Sequence, residues 1–384
     1  MSRPRLGATG NMSKQNLPDR NQVIREQKEG RGRKVLGVLP IHYPKELLTA
    51  MDVLAVEIWG PPGAPRSAQV GRLQSYVCAV ARNALAFVAG GGADLVDGFL
   101  YPHTCDSIQG LATQIPDFGG AAGKAALRYR SPKGKARPSL RRYLREELAR
   151  LAREIEALTG RALDPERLRW SLGLHHRIDS VRAELLDGRA RFGGSDAELY
   201  GILRRGECLW PEDHLSELER VAERLEPGPV QKGTPLLVSG IVPEPMEIFD
   251  RLADAGAYVA GDDYAAIGRR VVREAPDLEG DPLDALAARM LAAPPCSTRS
   301  SDLGERLAHL DWLRERGGCA GVVLHTVKFC EPELFDVSGI RSHLASRGLP
   351  LLVVEGELES ELSGQVVTRL EAFVEMVAAA RGNP

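Results

Sequence analysis

Six cysteines are spread through 384 residues, and three of them stand where a fold of strands and helices concentrates chemistry. Cys330 follows the apolar run Val322 to Leu324 and precedes the acidic, proline-bearing Glu331-Pro332-Glu333. A helical period then begins through Ile340, Leu344 and Ala345. This is a strand, a thiol at its carboxyl end, and a helix start. In an open parallel sheet ligands bind at that position, and a helix N-terminus favours a thiolate over a thiol. Cys105, in YPHTCDS, follows a predicted strand over 95–102 in the same way. Cys78 falls in an amphipathic helix predicted over 72–89, one crossover earlier. The three match no local zinc or ferredoxin spacing such as CxxC, so a shared site would have to be assembled by the fold. Taken singly, each also reads as a small buried hydrophobe. Cys208 (GECLW) and Cys319 (GGCAGVV) read as structural, and Cys296 (PPCSTR) sits in a proline turn between the two readings.

Several neighbours could act with these thiols. His103 lies two residues before Cys105 and could reach the same cleft. Ser107, two residues after it, could donate a hydrogen bond there or simply cap a helix. Arg82 stands one helical turn from Cys78, available to an anionic ligand or to a carboxylate. Asp262-Asp263 could bind a cation, or form a strand-end turn and helix cap. His175-His176 lack metal-ligand spacing. The run GGAAGKAAL (119–127) fails as a phosphate loop: Phe118 stands where glycine is needed, and Ala125 replaces the hydroxyl that would hold magnesium. No GxGxxG opens a helix after a strand, so a dinucleotide fingerprint is absent.

The elements that would position these residues alternate. Short apolar runs predict strands over 35–40, 54–60, 95–102 and 125–130, then over 235–242, 257–264, 322–327 and 349–357. Between the two sets, from about Ser139 to Leu225, the period is wholly helical, with starts at Asp164-Pro165, Ser195-Asp196 and Trp210-Pro211. The alternation implies parallel sheets with helices on both faces. The expected organisation is a flexible polar arm over 1–33, an α/β domain over 34–160, a helical segment and linker over 161–234, and a second α/β domain over 235–384. A net charge of −2 gives no field that recruits nucleic acid or an anionic membrane. No apolar run approaches the ~18–20 residues that span a bilayer. The N-terminal stretch lacks the apolar core of a secretory signal. A cytoplasmic chain with reduced thiols is expected.

The segments SYVCAVARNAL, YPHTCDSIQ, GDDYAAIGRR, VKFCEPELFD and GQVVTRLEAFVEM, in this order, resemble the 2-hydroxyacyl-CoA dehydratase D-component family, which includes subunits of benzoyl-CoA reductase. The resemblance runs from about Pro44 to Met376. It implies two flavodoxin-like domains holding one [4Fe-4S] cluster through Cys78, Cys105 and Cys330, with a fourth iron site left for water or substrate. It further implies a homologous second subunit, an acyl-CoA substrate, anaerobic radical chemistry, and a separate ATP-dependent iron–sulfur activator protein. One electron added to the thioester carbonyl of a 2-hydroxyacyl-CoA gives a ketyl radical anion that can expel the α-hydroxyl. His103 and Ser107 are the candidate catalytic side chains. The alternatives are a benzoyl-CoA reductase-type subunit, a non-catalytic electron-relay partner, and a double-cubane reductase of the same family.

Overall fold

The computed structural model describes residues 20–59, 73–118, 120–358 and 361–382. All eight expected strands form. They are β1 Lys34–Val38, β2 Val53–Glu57, β3 Gly98–Pro102, β4 Ala125–Tyr129, β5 Thr234–Gly240, β6 Ala257–Tyr264, β7 Gly321–Val327 and β8 Leu351–Gly356. They make two four-stranded sheets, ordered β2-β1-β3-β4 and β6-β5-β7-β8, with every ladder parallel. Each sheet repeats the 2-1-3-4 order of a flavodoxin-like unit. All residues of β3, β5 and β7 are buried, as expected for parallel strands covered on both faces.

The helical middle folds as its starts predict. Helix Pro165–Asp187 begins with Asp164, which accepts a hydrogen bond from the Glu166 N–H at 2.9 Å. Helix Asp196–Arg205 begins with Ser195 accepting from the Glu198 N–H at 3.1 Å, and helix Pro211–Ala222 follows Trp210. Such caps satisfy donors that the first helical turn leaves free. Helix Pro138–Thr159 ends at Gly160, whose φ of 71° is the left-handed conformation that closes many helices.

Three expectations need correction. The segment 1–33 is not an arm throughout: residues 1–19 lie outside the described residues, but Arg20–Arg25 is helical and Glu26–Gly30 continues it as a wider turn. Val23 and Ile24 on its inner face join the main core, and Arg20 pairs with buried Glu207 at 2.9 Å. The helix predicted over 72–89 begins only at Ala79, so Cys78 caps it rather than lying within it. A helix not expected from periodicity, Pro282–Ala292, leaves the second half of the chain and packs beside Pro138–Thr159. Its Ala285, Leu286 and Ala287 share one cluster with Leu36, Val38 and Leu100 of the first sheet. Its signals are nonetheless ordinary ones: Asp281-Pro282 as a start, and Leu283, Leu286, Ala287, Met290 and Leu291 at helical spacing.

Ile24 is 1% exposed. Ile24→Ala is therefore expected to lower unfolding free energy by about 2–5 kcal/mol, measured by urea denaturation. A loosely attached arm would leave the urea midpoint unchanged.

Candidate functional site

The three singled-out thiols occupy equivalent local settings. Cys105 follows β3 and immediately precedes helix Asp106–Phe118, and Cys330 follows β7 and is the N-cap of helix Glu331–Ser346. Strands β3 and β7 hold the same place in their sheets. Cys78 is the N-cap of helix Ala79–Phe87. Each thiol therefore meets a helix N-terminus, where exposed backbone N–H groups favour negative charge. The N–H groups of Val80 and Ala81 act in this sense on Cys78, those of Ser107 and Ile108 on Cys105, and that of Glu333 on Cys330. At Cys78 and Cys330 none closes a hydrogen bond on sulfur.

Burial works the other way and dominates. It pushes the Cys78 thiol up to about 11 and Cys330 well above the ordinary thiol range, and it raises Cys105 as well. The thiols also lie within reach of one another's charge: Cys105 raises Cys78, and both Cys78 and Cys105 raise Cys330. All three belong to or pack against one core cluster, and all are free of disulfides. Among the described residues no three His, Cys, Asp or Glu side chains are arranged to hold a single metal ion. The donor chemistry, three free thiols, is of the kind that iron–sulfur clusters use. The three sulfurs come from three separate helix starts.

His103 stands half-buried just after β3, where its backbone N–H donates to the Tyr129 carbonyl at 2.8 Å. Burial first, then the Lys133 charge, lowers its ring pKa. Ser107 lies in the first turn of the helix that follows Cys105. Arg82 is taken by a carboxylate, that of Glu357. Cys208 and Cys319 are buried thiols raised by desolvation to about 11 and about 12. Cys296 differs. Burial opposes its ionisation, but Arg269, whose Nη1 donates to Sγ at 3.5 Å, together with Thr298 and Arg306 outweighs burial and lowers the thiol.

Asp262 makes the expected strand-end turn, accepting from the Tyr264 N–H at 3.2 Å and from the Gly268 N–H at 2.7 Å where the short helix Gly268–Arg270 starts. Asp262 also accepts from the Tyr200 hydroxyl, and Asp263 receives Arg269 at 2.9 Å and Arg306 at 2.7 Å. Arg269 also reaches Glu333 at 2.7 Å, in the first turn of the Cys330 helix. Arg270 turns the opposite way, to Glu57 at the end of β2 at 2.6 Å, where Lys45 and Tyr43 also bind. Sequence reasoning missed this lattice. The available signal was the spacing of two acids and two arginines in GDDYAAIGRR. It also missed a cavity of about 130 Å³ beside the lattice, lined by Tyr43, Lys45, His175, Arg182 and Arg299 among others.

The chain belongs to the 2-hydroxyglutaryl-CoA dehydratase D-component family, whose model matches residues 40–377. It is 22% identical over 360 residues to the beta subunit of lactoyl-CoA dehydratase from Anaerotignum propionicum, covering 93% of this chain and 95% of that protein. It is 22% identical over 371 residues to the beta subunit of (R)-2-hydroxyglutaryl-CoA dehydratase from Acidaminococcus fermentans, covering 90% and 93%. It is 24% identical over 350 residues to one of the benzoyl-CoA reductase subunits of Thauera aromatica, covering 87% of each. Among the described residues no helix is long and apolar enough to cross a membrane.

The buried histidines make stability depend on pH. Burial holds His175, His309 and His325 each down to about 4, against an ordinary value of 6.5. Between these values the folded chain binds fewer protons than the unfolded one, so stability present above pH 6.5 is lost as pH falls toward 4. Asp262, raised by burial to about 6, acts in the opposite sense. Urea unfolding at pH 7 and pH 5 should show a net loss. His175→Gln should shrink that loss by on the order of 1–2 kcal/mol.

Proposed function

We propose that this chain is the iron–sulfur subunit of an enzyme that dehydrates a 2-hydroxyacyl-CoA thioester. Cys78, Cys105 and Cys330 would hold a [4Fe-4S] cluster. The observation that carries the reading is the placement of three free thiols on three helix N-termini, drawn from both halves and within reach of one another's charge, in a chain of this family. A bound cluster supplies one-electron chemistry at low potential and an iron open to a further ligand.

The chain's own residues prepare the place. Cys78 and Cys330 are buried, so the apolar core shields two of the three ligands from water. The helix N-termini oppose the desolvation that holds the free thiols protonated, and loading releases those protons. The Arg269–Glu333 ion pair fixes the first turn after Cys330. His103 is assigned to exchange a proton with the departing hydroxyl, and Ser107 to hydrogen-bond the substrate beside Cys105. A homologous second subunit, an ATP-dependent activator and a cytoplasmic, anaerobic setting complete the proposal. Its dehydratase relatives are beta subunits, which supports the second subunit in this proposal. The likeness to a benzoyl-CoA reductase component supports the ring-reducing variant of the same chemistry.

Anaerobic purification followed by iron and sulfide analysis and electron paramagnetic resonance tests the cluster. Cys330→Ser should abolish iron while leaving circular dichroism unchanged, because oxygen is a poorer ligand than sulfur for this group. Cys208→Ala and Cys319→Ala should keep full iron and cost only about 1 kcal/mol of stability. A brown, iron-replete Cys330→Ser protein would remove Cys330 from the ligand set. His103→Gln should retain iron and lose turnover.

A further inference from the structure

The cavity of about 130 Å³ lies between helix Pro165–Asp187 and the first sheet, where Val53, Leu54, Ala55 and Tyr129 line it. Its size is close to the roughly 150 Å³ of an engineered core cavity that takes benzene. Tyr43, Leu54, Tyr129, Ile178, Trp210 and Met290 give it apolar walls. Its charged lining is strongly positive, with Lys45 and five arginines against Glu46 and Asp179.

Most of these cations are matched. Lys45 and Arg270 share Glu57, Arg289 bridges Glu46 and Asp179, and Arg269 holds Asp263 and Glu333. Arg182 and Arg299 are different, because among the described residues neither contacts a carboxylate. Arg182 is 7% exposed and donates to the Leu203 carbonyl at 3.2 Å. Arg299 donates to the carbonyls of Met290, Ala293 and Pro294, at the end of helix Pro282–Ala292. Nε of Arg182, Nη1 of Arg289 and Nε of Arg299 are buried without an acceptor. A guanidinium does not shed its proton to escape such a setting. Asp179 is the main negative charge that acts on Arg182, and it is already bridged by Arg289, so the cavity keeps an excess of buried positive charge, which is costly. A small inorganic anion would answer the charge and leave the apolar walls unfilled.

We propose that this cavity binds a small organic carboxylate whose apolar body is about the size of a benzene ring. Arg182 and Arg299, which make no ion-pair contact of their own among the described residues, supply its counter-charge. The fork geometry of arginine suits a carboxylate, and the rings and aliphatic side chains of the wall suit the body. None of the three thiols lines this cavity, so the inference stands whether or not they hold a cluster.

Titration calorimetry and thermal unfolding of the full chain with benzoate, hexanoate and inorganic phosphate test it. Benzoate or hexanoate should bind one per chain and raise the unfolding temperature further than phosphate does. Arg182→Gln should weaken that binding by about tenfold or more, equivalent to about 1.4 kcal/mol. Leu291→Trp, which fills the cavity and keeps every arginine, should do the same, and it carries the test if the arginine variant does not fold. Absence of binding in the millimolar range, binding that survives either folded variant, or phosphate binding as tight as benzoate would each overturn the proposal.

Discussion

Two adjacent arginines reaching in opposite directions set how the two halves of this structure meet. Arg269 is fully buried and draws Asp263, at the end of β6, toward Glu333, in the first turn of the Cys330 helix. Arg270 reaches across to Glu57, at the end of β2 in the other sheet. The short turn Gly268–Arg270 is therefore a clasp between the halves. Buried ion pairs contribute little net stability, but removing one partner strands a charge and costs about 3–5 kcal/mol. What the clasp supplies is position. The segment that sets the Cys330 thiol is tied to the carboxyl end of the first sheet, near the strand ends that carry His103 and Cys105.

The site is also a consequence of repetition. The two sheets share one strand order, so the third strand of each delivers a cysteine to the start of a helix. Cys78 arrives by a different route, as the cap of a helix that precedes β3. The halves thus contribute unequally, two thiols from the first and one from the second. An arrangement of this kind exists only when both halves are folded and joined.

The sequence made much of this legible, because the signals were local. Runs such as VLGVLP and PLLVSGIV read as buried strands by length and β-branching, their alternation with helices implies parallel sheets, and Asp164-Pro165 and Ser195-Asp196 mark helix starts by their own side chains. The strand-end placement of Cys105 and Cys330 followed from the same patterns. What remained hidden was long-range. The Arg269–Glu333 pair joins residues far apart in the chain, and no window of sequence carries it. The fold of residues 20–30 depends on a core elsewhere that receives Val23 and Ile24. The start of the helix after Cys78 was read too early because residues 72–77 share the apolar spacing that continues beyond them.

Helix Pro282–Ala292 has a bearing on how the molecule comes into being. It belongs by sequence to the second half, yet Ala285, Leu286 and Ala287 complete the core that Leu36, Val38 and Leu100 of the first sheet begin. During synthesis helices Pro138–Thr159 and Pro165–Asp187, which cover the first sheet, leave the ribosome with the face that meets Pro282–Ala292 open, and that face closes only after Ala292 has emerged. The N-terminal half cannot reach its final packing as an independent folding unit. The two halves mature together, and a nascent chain shorter than about this length presents apolar surface that a chaperone would have to shield.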